Sequence, residues 1–164
     1  MDQKELKRIV HYEPETGKMT WKAPRQRCVI GSDVGVITKL GYRRVCLNGR
    51  KYQAHRLAWL YVYGEMPSGQ IDHKNRDGLD NRLCNLRLAT PSQNQANKGM
   101  RIDNTSSVKG VAWDKARQKW KATISVNGKS ICLGRFEKIQ DAAEAYSDAA
   151  KRNFGPFAHP VEDM

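Results

Sequence analysis

One stretch constrains this chain more than any other. It begins at Ile71-Asp72-His73, passes through Asn85, and ends in Thr90-Pro91-Ser92-Gln93-Asn94-Gln95-Ala96-Asn97-Lys98. The Pro67-Ser68-Gly69 turn leads into its opening strand. Lys74 to Arg82, rich in Asn, Asp and Gly, reads as a turn-rich loop. Leu86-Arg87-Leu88-Ala89 alternates and predicts a short strand. Thr90 is an N-cap residue, Pro91 suits the first helical position, and Gln93 sits where a capping box needs it. The predicted order is strand, loop, strand, helix.

His73 and Asn85 are twelve residues apart, and Asn85 and Asn94 are nine apart. This order and spacing, with an acid just before the histidine, resemble the HNH (ββα-metal) nucleases of the phage intron-encoded homing type. The resemblance implies His73 as general base, Asp72 and Asn94 as ligands of one divalent metal, and Asn85 as the pin of the loop that aims the histidine. Many members carry His at the third motif position, where this chain has Asn94. An oxygen ligand suits a hard ion, so Mg2+ is expected, with Mn2+ the other candidate.

The chemistry accounts for the same residue types. Phosphodiester hydrolysis needs a nucleophile near neutral pH and a group to hold developing negative charge. A histidine with an unperturbed pKa of about 6.5 takes a proton from water. A metal bound through one carboxylate stabilises the pentacoordinate phosphate and the leaving oxygen. A helix N-terminus nearby adds positive potential for phosphate. Taken singly, Asp72 and His73 read as turn caps, and Asn85 and Asn94 as surface residues. All four at matching spacing favour the nuclease.

Charge points to the substrate. The 164 residues carry 29 Lys+Arg against 17 Asp+Glu, a net +12. That implies a polyanionic partner. No apolar run reaches the length of a membrane span, no secretory signal opens the chain, and no basic amphipathic helix suits a membrane surface. Duplex DNA is therefore the expected partner, with no membrane, no small-molecule cofactor beyond the metal, and a cytoplasmic setting. From Lys18 to Arg56 there are ten basic residues and one acid, Asp33. Such a run reads as a phosphate-tracking face, with Arg43, Arg44 and Lys51 as candidate DNA contacts. Cys28, Cys46, Cys84 and Cys132 include no CxxC pair, and their strand-like neighbours suggest buried free thiols.

Earlier elements follow from local signals. Residues 2–10 predict a helix with Leu6, Ile9 and Val10 on one side. Tyr12 and Met19-Thr20-Trp21 flank a Pro- and Gly-containing turn and predict a hairpin. Residues 22–33 lack periodicity and read as a basic loop lying on the duplex. Asn48-Gly49 between Gly41–Leu47 and Arg50–Gln53 predicts a second hairpin, of open register. A helix starts at Ala54, carries Leu57, Leu60 and Tyr61 on one face, and stops at Gly64. His55, at its start, reads as a structural histidine rather than a catalytic one.

Residues 99–107 read as a linker. Beyond it, Gly110–Trp113, Lys119–Val126 and Lys129–Phe136 predict three strands, the last two joined by Asn127-Gly128. Trp120, Ala122, Ile124 and Val126 alternate onto one face, with Trp120 and Ile124 in the core. Gln140 to Arg152 predicts a helix with an alanine-rich stripe. Lys109-Gly110-Val111, Lys119-Trp120, Gly128-Lys129, Leu133-Gly134-Arg135-Phe136 and Ala142-Ala143-Glu144-Ala145-Tyr146-Ser147-Asp148-Ala149-Ala150 resemble the Apetala-type DNA-binding domain of ethylene-response factors. The resemblance implies that the sheet, not the helix, meets the major groove. Charge agrees: Lys109 to Arg135 is net +6, Glu137 to Asp148 net −3. Lys121, Thr123 and Ser125, with Lys109, Lys129, Arg135 and Trp113, are the candidate contacts. Thr123, Ser125 and Ala112 stand where many plant members carry arginine, so phosphate holding is expected to outweigh base readout.

The expected fold class is α+β: a nuclease domain over 1–98, a linker over 99–107, and a sheet-on-helix DNA-binding domain over 108–158. The expected function is a monomeric, site-preferring DNA endonuclease that nicks one strand. The rival reading is a DNA-binding regulator whose nuclease part has lost activity. An RNA-processing nuclease is disfavoured by the duplex-reading second module.

Overall fold

A computed structural model describes residues 1–24, 28–100 and 103–158. Arg25 and Arg27 of the basic run, and Arg101 and Ile102 of the linker, lie outside the described residues. The fold mixes helix and sheet in two compact units, Met1–Leu88 and Ala89–Met164.

In the first unit, helix α1 (Gln3–Ile9) begins at Asp2, whose carboxylate accepts the Glu5 N–H at 2.7 Å. Strands β1 (Val10–Tyr12) and β2 (Met19–Trp21) pair antiparallel. A three-stranded antiparallel sheet follows, of β3 (Val36–Ile37), β4 (Arg43–Leu47) and β5 (Arg50–Gln53). Sequence periodicity does not announce β3, because Val36 and Ile37 are both exposed. The preceding segment is more than a surface loop: Asp33 bridges to Thr20, and Val34 is wholly buried. Asn48 and Gly49 both take positive φ, as the tight hairpin turn requires.

The open register resolves: Val45 and Leu47 face inward, while Arg44 and Cys46 face out beside Gln53 and Lys51. Helix α2 (Ala54–Tyr63) buries Ala54, Leu57, Ala58 and Leu60, and ends on Gly64 in the left-handed region. Leu6, Val10, Tyr12, Val34, Leu47 and Leu57 share one core with these residues. Strand β6 (Gln70–His73) pairs with β7 (Leu86–Ala89), and a turn of 3-10 helix, Leu83–Asn85, closes the loop between them.

The second unit opens with helix α3 (Pro91–Asn97), whose capping box forms in full: Thr90 Oγ1 accepts the Gln93 N–H, and Gln93 Oε1 accepts the Thr90 N–H. Strands β8 (Val111–Asp114), β9 (Lys119–Val126) and β10 (Lys129–Phe136) form one antiparallel sheet in the order β10-β9-β8. Helix α4 (Ile139–Phe154) covers it with Ala142, Tyr146, Ala149, Ala150 and Phe154. Ala122 and Ile124 are buried as expected, whereas Trp120 is only half-buried at the edge of this core.

The cysteine expectation is corrected. Cys46, Cys84 and Cys132 are exposed and Cys28 is half-buried, all as free thiols. Strand-like neighbours mark a residue as extended, but pairing register decides which face it takes.

Candidate active site

The site grows from an oddity of β6. Ile71, Asp72 and His73 are all buried in succession, although strand neighbours point to opposite faces. Two adjacent polar side chains are therefore taken out of water, and each needs a partner. Asp72 Oδ2 accepts from Arg87 Nε on β7 at 2.7 Å, an ion pair with little solvent access. Removing one member of such a pair leaves an uncompensated charge, so the pair fixes both groups.

His73 Nε2 lies 3.5 Å from Asn81 Oδ1, at the long end of hydrogen-bond reach. An amide oxygen only accepts, so Nε2–H donates and Nδ1 carries the lone pair. Asn81 is itself held twice. Its Nδ2 donates to the Leu79 carbonyl at 3.0 Å, and its own carbonyl accepts from the Tyr12 hydroxyl at 2.8 Å. Burial pushes the Tyr12 hydroxyl far above its ordinary range, so it stays protonated and donating. Burial lowers the His73 pKa, opposed by the Asn81 hydrogen bond and by the carboxylates of Asp72, Asp77 and Asp80.

Asn85 organises the loop rather than the ring. Its Oδ1 accepts the Asn75 N–H at 3.0 Å, and its Nδ2 donates to Asn75 Oδ1 at 2.9 Å and to the Asp80 carbonyl at 2.8 Å. The loop adds its own side-chain turns: Asn75 Oδ1 accepts from Asp77 N–H, and Asp77 Oδ1 from Leu79 N–H. Arg82 grips Asp80 through two short bonds of 2.8 and 2.6 Å and holds that carboxyl down at about 2.

Two further rings stand beside His73. The His55 ring centroid is 5.0 Å away at 84°, and the Tyr42 centroid 5.9 Å away at 50°. Tyr42 and His55 are themselves 5.9 Å apart. Burial, then the neighbouring His73 and Arg56, push His55 down to about 3. The sequence gives no spacing by which to find Asn81, Arg87 or Tyr42, and His55 reads there as merely structural.

Asn94 lies half-buried in the second turn of α3, in the second unit. Asn97, one helical turn on, is buried.

The candidate DNA contacts divide by their surroundings. Arg44 and Lys51 are exposed on one face of their sheet. Arg43 is half-buried and bonds the Val34 carbonyl at 3.1 Å and Asp33 at 3.4 Å. In the second unit Lys121, Thr123 and Ser125 lie on the face away from Ala122 and Ile124, and Arg135 pairs across from Lys121. Arg135 also bonds Asp114 at 2.8 Å. Lys109 Nζ donates to the Ala96 and Lys98 carbonyls, capping the end of α3. Lys129 is exposed at the hairpin turn. Trp113 is 43% exposed but pairs directly with Trp120, so it shares the helix-covered face rather than that of Lys121.

Residues 52–96 match the family model described as HNH endonuclease. Protein 3.8 of Escherichia phage T7 is 40% identical over 76 residues, covering 46% of this chain and 63% of that protein. An uncharacterised HNH endonuclease of Acanthamoeba polyphaga mimivirus is 36% identical over 112 residues, covering 67% of this chain and 57% of that protein. The chain thus spans under two thirds of the length of either relative. No solved structure matches it. No helix among the described residues is long and apolar enough to cross a membrane. The stretch of this chain that resembles HNH endonucleases therefore covers residues 52–96.

Proposed function

We propose that the protein is a metal-dependent DNA endonuclease of the homing type, acting as a monomer that nicks one strand of a preferred duplex site. The observation that carries this is the His73 imidazole. It is buried, oriented by Asn81 through Nε2, and lowered in pKa so that its neutral, proton-accepting form prevails near pH 7. Nδ1 takes the proton from the attacking water.

The ligands proposed for one hard divalent ion, Mg2+ or Mn2+, are Asp72 and Asn94, as the resemblance implies. Asp72 supplies the full charge and Asn94 a neutral amide oxygen. Among the described residues no three His, Cys, Asp or Glu gather to hold a metal alone, so water and substrate oxygens would have to complete the ligand set. When bound, the ion stabilises charge on the phosphate and the leaving oxygen. Arg87 holds the Asp72 carboxylate in place, and Asn85 keeps the loop around His73 closed.

Arg44 and Lys51 in the first unit, and Lys121, Thr123, Ser125 and Lys129 on the Apetala-type sheet, track the duplex backbone. Arg43, Arg135 and Lys109 act less directly, because each bonds a neighbouring protein group. Incubating supercoiled plasmid with the protein and Mg2+ tests the reading. Conversion to the open-circular form, lost in His73→Ala, is expected. A protein that binds the plasmid without cutting it is the inactive regulator instead.

A further inference from the structure

Lys39 and Leu40 stand in the turn that joins β3 to β4. Leu40 is 82% exposed, more than any other large apolar side chain among the described residues. Val36 and Ile37 behind it are 61% and 59% exposed. Strand β3 lies at the edge of its sheet and pairs only with β4, which leaves both open. Single apolar residues are ordinary on a surface, but these lie together at one end of one hairpin.

The tip is held in shape. The Thr38 N–H donates to the Tyr42 carbonyl at 2.8 Å, the Gly41 N–H to the Thr38 carbonyl at 3.0 Å, and the Tyr42 N–H to Thr38 Oγ1 at 3.3 Å. Gly41 closes the turn with a φ of 74°. Leu40 is thus presented by an ordered turn, and little freedom remains to be lost on contact.

The root of the tip rests on the loop between β6 and β7. A Cβ on Gly78 would sit 2.6 Å from the Gly41 carbonyl oxygen and 2.7 Å from two Tyr42 ring carbons, so only glycine allows the approach. The Tyr42 ring centroid is 5.9 Å from that of His73. Leu40 is two residues from Tyr42, at most about 7 Å of chain, or roughly two base-pair rises.

Charge selects the occupant. Between Val34 and Arg56 there are six Lys or Arg and no Asp or Glu. A second copy docked patch to patch would set like charges together, whereas duplex DNA complements them. The outside of a duplex is phosphate, sugar and largely polar base edges. Its broad apolar surfaces are the base faces, reached only where a step opens.

We propose that Leu40 is a wedge that enters the minor groove and unstacks one base step close to the phosphate at the His73 site. Lys39 beside it, and Arg44 paired with Val36, hold the flanking phosphates. This rests on the reading of the first unit as a DNA-binding nuclease. A wedge makes site preference partly a matter of deformability, so pyrimidine–purine steps, which open most easily, are favoured.

The test uses the full chain bound to plasmid, with metal withheld by EDTA and a type IB topoisomerase, which needs none, relaxing the rest of the circle. Unstacking unwinds the duplex, so plasmid freed of wild-type protein should carry a linking-number deficit that grows with occupancy. Occupancy is read by fluorescence anisotropy. Leu40→Ala should lose about half or more of the deficit per bound protein, and Leu40→Phe should keep it. The side chain is too exposed for either change to disturb the core.

An equal deficit in wild type and Leu40→Ala overturns the wedge, as does binding by wild type with no deficit. Weaker binding by Leu40→Ala without any unwinding would mark contact with thymine methyls in the major groove, and also overturns it. A wild-type dimer in sedimentation that Leu40→Ala returns to monomer would make the tip an interface between copies instead. Failure of the underlying reading looks different, since the wild-type protein would then not bind the plasmid at all.

Discussion

The β6–β7 loop site and the C-terminal sheet use polar residues in opposite ways. In the first, Asp72, His73, Asn81 and Asn85 point inward and are between 3% and 6% exposed. In the second, apolar Ala122 and Ile124 point inward, and Lys121, Thr123 and Ser125 are left on the other face. Buried polar groups must be matched by partners or they cost stability, so the first region is a closed network of named bonds. Outward polar groups carry no such obligation, which leaves them adaptable to a phosphate backbone. The contrast separates a place built for geometry from a place built for contact.

The largest effect falls on the buried region. His73→Ala should slow plasmid nicking by about 100- to 10,000-fold and leave duplex affinity nearly unchanged. A variant that nicks at the wild-type rate breaks the comparison at its root. Asn94→Ala should lose cleavage at ordinary Mg2+, by roughly ten- to a hundredfold as for other disturbed metal sites, with partial recovery at raised Mg2+ or Mn2+. Titrating metal against nicking rate reads this, and Asn94→Asp should move the curve to lower metal. A defect that no metal concentration relieves would deny Asn94 its role.

Asn85→Ala should lower unfolding free energy by about 3 kcal/mol, because Asn75 and Asp80 lose partners together. Ser125→Ala on the sheet should shift it by less than about 0.5 kcal/mol. Urea titrations of the two variants sharpen the contrast, and equal losses would erase it. Lys121→Ala and Lys129→Ala should each reduce the salt slope of DNA binding by about one, with nicking at saturation preserved.

The last effect appears only in acid. Folding lowers the His55 pKa to about 3, so below its ordinary value the unfolded chain binds more protons than the folded one. Stability from this residue is complete above about pH 6.5 and drains away as pH falls toward 3. His55→Phe should flatten that part of the acid melt, and an unchanged slope would place its source elsewhere.

Elements with local chemical signatures were legible in the sequence. The Thr90 capping box, the two Asn-Gly turns, the Gly64 stop and the alternation of β9 each depend on neighbours within a few residues. The parts not legible are joined across the chain. Tyr12 reaches Asn81 over 69 residues, and β3 exists only by pairing with β4. The outward Cys46 was settled by register, and the Tyr42–His55–His73 cluster by packing of segments far apart in sequence. Spacing singles out Asp72 and His73 as candidates, but Arg87 and Asn81, which bond them, belong to no spacing rule.

The Tyr12 hydroxyl has a consequence for transplanting the proposed activity. The matched family segment begins at residue 52, yet the residue that orients the histidine is itself held from the first hairpin. The Pro14 carbonyl also accepts the Leu83 N–H at 2.9 Å, and Gly17 lies against the backbone of Asn81 and Arg82. A motif excised at its family boundaries and grafted onto a new scaffold would therefore arrive with every residue of the proposed catalytic set present and the support of Asn81 left behind. The smallest portable unit for the proposed chemistry includes the N-terminal hairpin together with the loop.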